Sequence, residues 1–437
     1  MTKRVYIETY GCQMNVADTE LMLGVLGRDG YTRAESPEDA DVMLVNTCAV
    51  RDNAEQRVIG RVGELLRYKR SDGVLGVVGC MAQRLGPALL ERVGRVDLVV
   101  GPDAYRDLPQ LIGLAHAGQR VSEVEFRSWE HYEDVPAVRG NGPTAFVTVQ
   151  RGCDYRCTFC IVPYTRGPER SRKQEDVVQE VAALAEQGTT EVTLLGQTVN
   201  SYHDGQHDFA DLLIALGQVH GLRRLRFTSP YPTDFTPRVI EAMASTPAVC
   251  EHVHLPVQSG SNTVLKRMLR RYTRESYLQV MADIRSAIPE ITFSTDIIVG
   301  FPGETDSEFA ETLSLVEEAD FDDAYTFKYS VREGTPAVRL KHHVSEEVAS
   351  SRLDQLIEAV RGNVRRKNVA RLGQVHEVLV ERPAKRGALM LGRTRGNQLV
   401  LLPLSPTAVG QYHQVRLTGT TGSTFTGSVV TPALAVL

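Results

Sequence analysis

The chain has 437 residues, 42% hydrophobic and 24% charged, with a formal net charge of −5. That length predicts two or three globular domains, and the composition excludes a disordered or collagen-like chain. No apolar run is long enough to span a bilayer, so no membrane helix is expected. Seven Cys in a chain of this length are too sparse, and odd in number, for a disulfide framework. The opening Met1-Thr2-Lys3-Arg4-Val5 enters a strand pattern at once. It predicts no targeting segment and a cytoplasmic protein with reduced thiols.

Three similar units fill the span 1–120. Arg4–Gly11 reads as a strand and leads into Cys12, Asp41–Thr47 into Cys48, and Val74–Gly79 into Cys80. Helical patterns follow, as at Asp18–Leu26 and Ala54–Tyr68. This alternation predicts an α/β fold with a doubly wound parallel sheet. In such a sheet all carboxyl ends share one edge, so three cysteines far apart in sequence converge on one rim. They read as a three-cysteine cluster site. The alternative is three buried structural cysteines, which would more often lie within strands than just past their ends. The span 121–144 reads as a linker, and Trp129 as a packing residue in the acidic stretch before Pro136–Thr144.

Six apolar strands then recur, each followed by a turn and a helix, across 145–370. They are Ala145–Gln150, Glu191–Leu195, Arg224–Ser229, His252–Val257, Thr292–Val299 and Ala324–Ser330. Six such units predict a partial (β/α)6 barrel, open on one side, with its chemistry at the carboxyl ends of the strands. After the first strand comes R-G-C-D-Y-R-C-T-F-C, a C-x3-C-x2-C set of Cys153, Cys157 and Cys160. Three thiolates this close can grip three irons of a four-iron cluster and leave the fourth iron open. Zinc wants four ligands, and no fourth Cys or His matches nearby. The other strand ends are polar or glycine-rich: Gly196–Tyr202, Thr228–Pro230, Pro256–Ser261 and Gly300–Thr305. Together they predict a small-molecule pocket in which Gln197, Gln258 and Ser259 supply hydrogen bonds and glycines allow close approach. Cys250 and His254 read as core residues, and His203 and His207 as members of a solvent-facing loop. Asp296, mid-strand, requires a partner.

Glu346–Val369 reads as a helix with a basic end, Arg365–Lys367. From Arg371 onward five short alternating strands predict a small antiparallel β-barrel of the oligonucleotide-binding kind. This tail carries seven basic and two acidic residues, so it is +5 while the rest of the chain is −10. The asymmetry predicts an anionic partner such as nucleic acid, or else a solvated basic surface. Arg382, Lys385, Arg386, Arg393 and Arg395 lie near turns, where backbone-directed, salt-sensitive contact would be made.

The motifs carry a resemblance. Phe159 stands before the third clustered Cys. Tyr10–Asn15 reads Y-G-C-Q-M-N, Asn46–Arg51 N-T-C-A-V-R, and Gly79–Gln83 G-C-M-A-Q. Gly152–Gly167 ends in V-P-Y-T-R-G, and His254–Ser261 reads H-L-P-V-Q-S-G-S. Over essentially its whole length the chain resembles the radical S-adenosylmethionine (SAM) methylthiotransferases. The resemblance implies an N-terminal methylthiotransferase domain, a radical SAM core and a C-terminal TRAM domain (371–437). It implies two 4Fe-4S clusters and SAM as cofactors. The cluster on Cys153, Cys157 and Cys160 would give one electron to SAM and release a 5′-deoxyadenosyl radical. The auxiliary cluster on Cys12, Cys48 and Cys80 would hold sulfur, which a second SAM methylates. The group would then pass to C2 of an N6-isopentenyladenosine beside the anticodon of a tRNA. Phe159, Gly196 and Gln197 would lie against SAM, Gln258 and Ser259 would approach its ribose, and Ile298 and Gly300 would flank its adenine. Arg166 and Arg170 would contact phosphate or the SAM carboxylate, or form surface ion pairs. The implied partners are a tRNA anticodon loop, held through the TRAM-like domain, and a reductant protein, with the chain acting as a monomer. Other substrates stay open: a threonylcarbamoyl-modified adenosine, or a ribosomal-protein aspartate. So does a non-catalytic iron–sulfur RNA-binding redox sensor. Thr198 departs from the family, which more often has Asn there.

Overall fold

A computed structural model describes residues 3–49, 52–140, 142–385 and 387–430, the stretch 52–56 by its backbone alone. Six strands form the N-terminal sheet, all parallel, in the order Tyr31–Arg33, Lys3–Tyr10, Val42–Thr47, Val74–Gly79, Leu98–Val100, Val121–Glu123. Val42 and Leu44 point into a core shared with the helices Gln13–Arg28 and Leu108–His116. Met43 and Val45 point into the opposite core, with Val58 and Val62. Burial on both faces explains why these strands read as unbroken apolar runs. Three of the six strands are only three residues long, too short to display a period.

One of those short strands, Val121–Glu123, lies within the span expected to be linker and pairs with Leu98–Val100. Further along that span Tyr132 and Val135 pack into the N-terminal core, and the Tyr132 hydroxyl donates to Pro102 O at 2.8 Å. Trp129 does not pack inward, as expected, but is 64% exposed. Its neighbour Glu130 turns inward instead and pairs with Arg106 at 2.8 Å.

The second domain is built from two parallel three-stranded sheets. One is ordered Arg224–Phe227, Glu191–Leu195, Thr144–Thr148, the other His252–His254, Thr292–Val299, Asp323–Lys328. A bridge between Leu225 and Val249 joins them. The result is an open six-strand barrel with Thr144–Thr148 and Asp323–Lys328 as its edges. Val192, Leu194, Phe293 and Ile297 face outward into a core shared with the surrounding helices, so the alternate residues line the lumen.

The last domain is a closed five-stranded barrel filled by Val378, Val380, Val400, Leu402, Val415 and Phe425. It sits at the amino ends of the second domain's strands. Arg224 donates to Arg393 O at 2.8 Å and to Glu377 O at 2.9 Å. Arg226 reaches Thr394 O and Arg395 O, both at 2.8 Å, while Arg395 pairs with Glu251 at 2.7 Å. Arg393 pairs with Glu381 at 2.5 Å. The expectation that Arg393 and Arg395 face nucleic acid is therefore corrected: both guanidiniums are spent on carboxylates, one of them across the domain interface. Arg366 and Lys367 are likewise committed to Asp320. Arg386 lies outside the described residues.

Glu191 is the buried carboxylate of this latch, 3.0 Å from Arg226 and 3.5 Å from Arg224. Burial acts to raise its carboxyl, but the two guanidiniums outweigh it and hold it below the ordinary range. Glu191→Ala leaves two buried cations short of their counter-charge and is expected to cost about 3–5 kcal/mol. A urea titration should show a lower midpoint at unchanged slope.

Candidate active site

Three adjacent parallel strands end at the N-terminal cysteines. Gly11 has φ +141, and a Cβ there would lie 2.6 Å from Cys48 Cβ; only glycine lets the chain turn into Cys12 this close to Cys48. Cys12 caps the helix Gln13–Arg28, and Cys80 begins the helix Cys80–Leu85. Two motif asparagines lock the rim: Asn15 Nδ2 donates to Asn46 Oδ1 at 3.0 Å, and Asn46 Nδ2 returns to Asn15 O at 2.7 Å. The hydrogen bond from Cys48 pulls the Cys12 thiol down to about 6, helped by the Arg166 charge and opposed by burial. Burial pushes the Cys80 thiol up.

The second trio lies in the loop between two paired strands, Gln150–Arg151 and Arg170–Ser171. Gly152 has φ +80, and a Cβ would meet Pro168 O at 1.9 Å. The chain doubles back there, so that Cys153 N–H donates to Gly167 O at 3.1 Å. Thr198 Oγ1 lies 3.2 Å from Cys153 Sγ, and Arg270 Nη1 donates to Cys157 Sγ at 3.3 Å. Burial raises the Cys153 thiol and pushes Cys160 up to about 12. The two trios belong to abutting surfaces: Ile161, next to Cys160, packs against Ala49 and Cys80.

Among the described residues, Glu175, Asp204 and His207 are the one set of three His, Cys, Asp or Glu side chains whose ligand atoms all lie within 4.8 Å of one another. Asp204 in that group serves the backbone, accepting N–H bonds from Gln174 at the start of the helix Gln174–Glu186 and from Gln206 and His207 in its own turn.

Around the second trio the pocket residues divide. Phe159 and Ile298 meet in one apolar cluster with Phe301 and Tyr329. Gln258 bridges the strand Thr292–Val299 beside them with φ +70, a strained conformation of the kind that gathers at ligand sites. Gly196 and Gln197 lie across the cysteine loop, next to Thr198. Gln197 Oε1 and Tyr329 Oη are among the polar atoms here that are buried with no protein partner. Ser259 is turned away, with its hydroxyl 3.3 Å from Thr312 Oγ1. Gly300 packs against the helix Glu346–Ala370, where a Cβ would lie 2.7 Å from Ala349 Cβ. Asp296 finds its partner in His254, 3.4 Å away, and Cys250 is a core residue, 2% exposed.

Arg166 and Arg170, expected at a phosphate, at a SAM carboxylate or in surface ion pairs, are buried. Arg170 makes a fork to Asp103 with both bonds at 2.9 Å. Arg166 reaches Cys80 and Asp18. Arg270, Arg151 and Asp18 also reach the two sites and are not among the expected site residues, although a charged residue within an apolar helical stripe, as Asp18 is, marks a buried pair.

Glu169 stands at the edge of the second site, where Ser201 donates to it at 2.8 Å. Burial pushes its carboxyl up to about 7, from an ordinary 4.5. The folded state then keeps a proton that the unfolded chain has released. Its stabilising contribution is complete below 4.5 and is lost as pH rises through about 7. Glu169→Gln is expected to flatten the fall in Tm across that window.

Comparisons with known proteins agree with this layout. The Radical SAM superfamily matches residues 147–316, the uncharacterized protein family UPF0004 residues 4–101, and the TRAM domain residues 369–430. The tRNA-2-methylthio-N(6)-dimethylallyladenosine synthase of Chloroherpeton thalassium is 44% identical, over 98% of this chain and 96% of its own length. The synthase of the same name from Porphyromonas gingivalis is 46% identical, over 98% and 95%. Among solved structures, the radical SAM methyltransferase TsrM of Kitasatospora setae, with cobalamin and a 4Fe-4S cluster bound, superposes with a TM-score of 0.59. It is 16% identical over 77% of each chain, a likeness of fold alone.

Proposed function

The chain belongs to the family of the tRNA-2-methylthio-N(6)-dimethylallyladenosine synthases, and from that premise we propose that it methylthiolates C2 of an N6-isopentenyladenosine beside the anticodon of tRNA. The observation that carries this reading is the meeting of two cysteine trios, one per domain, across a single interface.

Both trios fit four-iron clusters. Among the described residues each offers three soft thiolates and no fourth, the donor set of a four-iron cluster with one open iron. Cys153, Cys157 and Cys160 hold one cluster, and Cys12, Cys48 and Cys80 the auxiliary one. SAM fits beside the first: Phe159 and Ile298 offer apolar surface, and Gln197 Oε1 and Tyr329 Oη are buried polar atoms that a ligand would satisfy. When bound, these groups supply the one-electron chemistry, the sulfur and the methyl group that an unactivated aromatic C–H bond demands.

The protein's own part is placement. Gly167 O holds the Cys153 backbone, and Thr198 and Arg270 reach the sulfurs of Cys153 and Cys157. The target base comes from a single-stranded loop, which can be splayed into a pocket without breaking a duplex. Arg382 and Lys385, on the TRAM barrel, are left to meet the tRNA backbone. A reductant protein supplies electrons, and the chain works in the cytoplasm as a monomer. Mass spectrometry of tRNA nucleosides and of ribosomal proteins from a strain lacking the gene tests the substrate. Isopentenyladenosine should accumulate without its 2-methylthio form. Loss of methylthiolated threonylcarbamoyladenosine, or of a modified ribosomal-protein aspartate, would overturn it.

A further inference from the structure

A cation in direct contact with the auxiliary trio comes from outside its own domain. Arg166 ends the short helix Val162–Arg166 that follows Cys160. It is 3% exposed, and its Nε donates to Cys80 Sγ at 3.1 Å. On its other side Nη2 lies 2.6 Å from Asp18 Oδ2. Asp18 is itself wholly buried, on the helix that starts at the Cys12 cap. It is shared with a second guanidinium, since Arg151 Nη1 donates to Oδ1 at 3.1 Å. Tyr105 hydroxyl completes the set at 3.4 Å from Oδ2.

Two buried guanidiniums thus share one carboxylate, and one positive charge is left over where water cannot screen it. Arg166 Nη1 is buried with no protein partner. Such an excess is costly unless a negative group lies beside it. The sulfur edge of the Cys12, Cys48 and Cys80 trio is the neighbour in contact.

We infer that Arg166 is a positioning residue of the auxiliary site: it fixes the Cys80 sulfur and raises the reduction potential of the cluster held there. The inference rests on the reading that these three cysteines hold a cluster. Its physical basis is that hydrogen bonds to ligand sulfur and nearby positive charge favour the reduced, more negative state. The auxiliary site is then a composite, incomplete without a residue of the barrel domain.

The test uses the full chain with Cys153, Cys157 and Cys160 all changed to Ala, so that one cluster is observed. Its potential is measured by an EPR-monitored redox titration, alone and with Arg166→Gln or Arg166→Lys added. Arg166→Gln should shift the reduction equilibrium about tenfold toward the oxidised form, about 59 mV for one electron. Arg166→Lys, which keeps the charge but not the planar fork, should shift it less. A Gln variant that keeps its cluster at the parental potential overturns the inference, even if its Tm falls. Where the Gln variant loses its iron, the Lys variant decides by the same criterion. A parent without any cluster defeats the underlying reading itself, a result distinct from an unchanged potential.

Discussion

Cys153→Ala is expected to reduce both SAM cleavage and nucleoside methylthiolation to background. Cys153 is the residue on which the second site closes. Its N–H is held by Gly167 O, and its sulfur lies 3.2 Å from Thr198 Oγ1. With one thiolate removed, two remain for a cluster that needs at least three. The fold should persist, because the turn depends on Gly152 and not on the sulfur. Parallel assays of 5′-deoxyadenosine and of modified nucleoside, with circular dichroism as a control for folding, check the expectation. Deoxyadenosine at wild-type levels would remove Cys153 from the site.

Cys48→Ala is expected to separate the two activities. SAM cleavage should persist within a few-fold of wild type, because the trio of the second domain is untouched. Methylthiolated product should vanish. Cys48 lies at the centre of the auxiliary rim, past the strand between those that lead to Cys12 and Cys80, and its hydrogen bond is the largest influence on the Cys12 thiol. Methylthiolated nucleoside formed by this variant would refute the auxiliary assignment.

Much of this layout is legible from residues alone. Parallel strands of a doubly wound sheet end on a common edge, so cysteines placed just past Tyr10, Thr47 and Gly79 must converge. The C-x3-C-x2-C set announces itself by local spacing. Less legible is what depends on packing between domains. Arg393 and Arg395 look like nucleic-acid contacts in a basic tail, and only the docked barrel shows that Arg395 reaches Glu251, more than a hundred residues away. Arg166 looks like a surface cation after a motif, and only the interface reveals Cys80 and Asp18 as its partners. Ser259 sits in a loop that points to a ligand, yet Thr312 of a neighbouring helix takes its hydroxyl. Trp129 looks like core by residue type, but the turn that sends Glu130 and Tyr132 inward leaves it in solvent. The short strands Tyr31–Arg33, Leu98–Val100 and Val121–Glu123 gain their form from neighbours, not from a pattern of their own.

Two cysteine trios in different domains are proposed to act on one substrate. Anaerobically reconstituted protein, reduced and given SAM and isopentenylated tRNA, tests it most directly when three products are measured in one reaction. 5′-Deoxyadenosine, S-adenosylhomocysteine and 2-methylthio-N6-isopentenyladenosine are expected together. Deoxyadenosine without the methylthiolated nucleoside would contradict it.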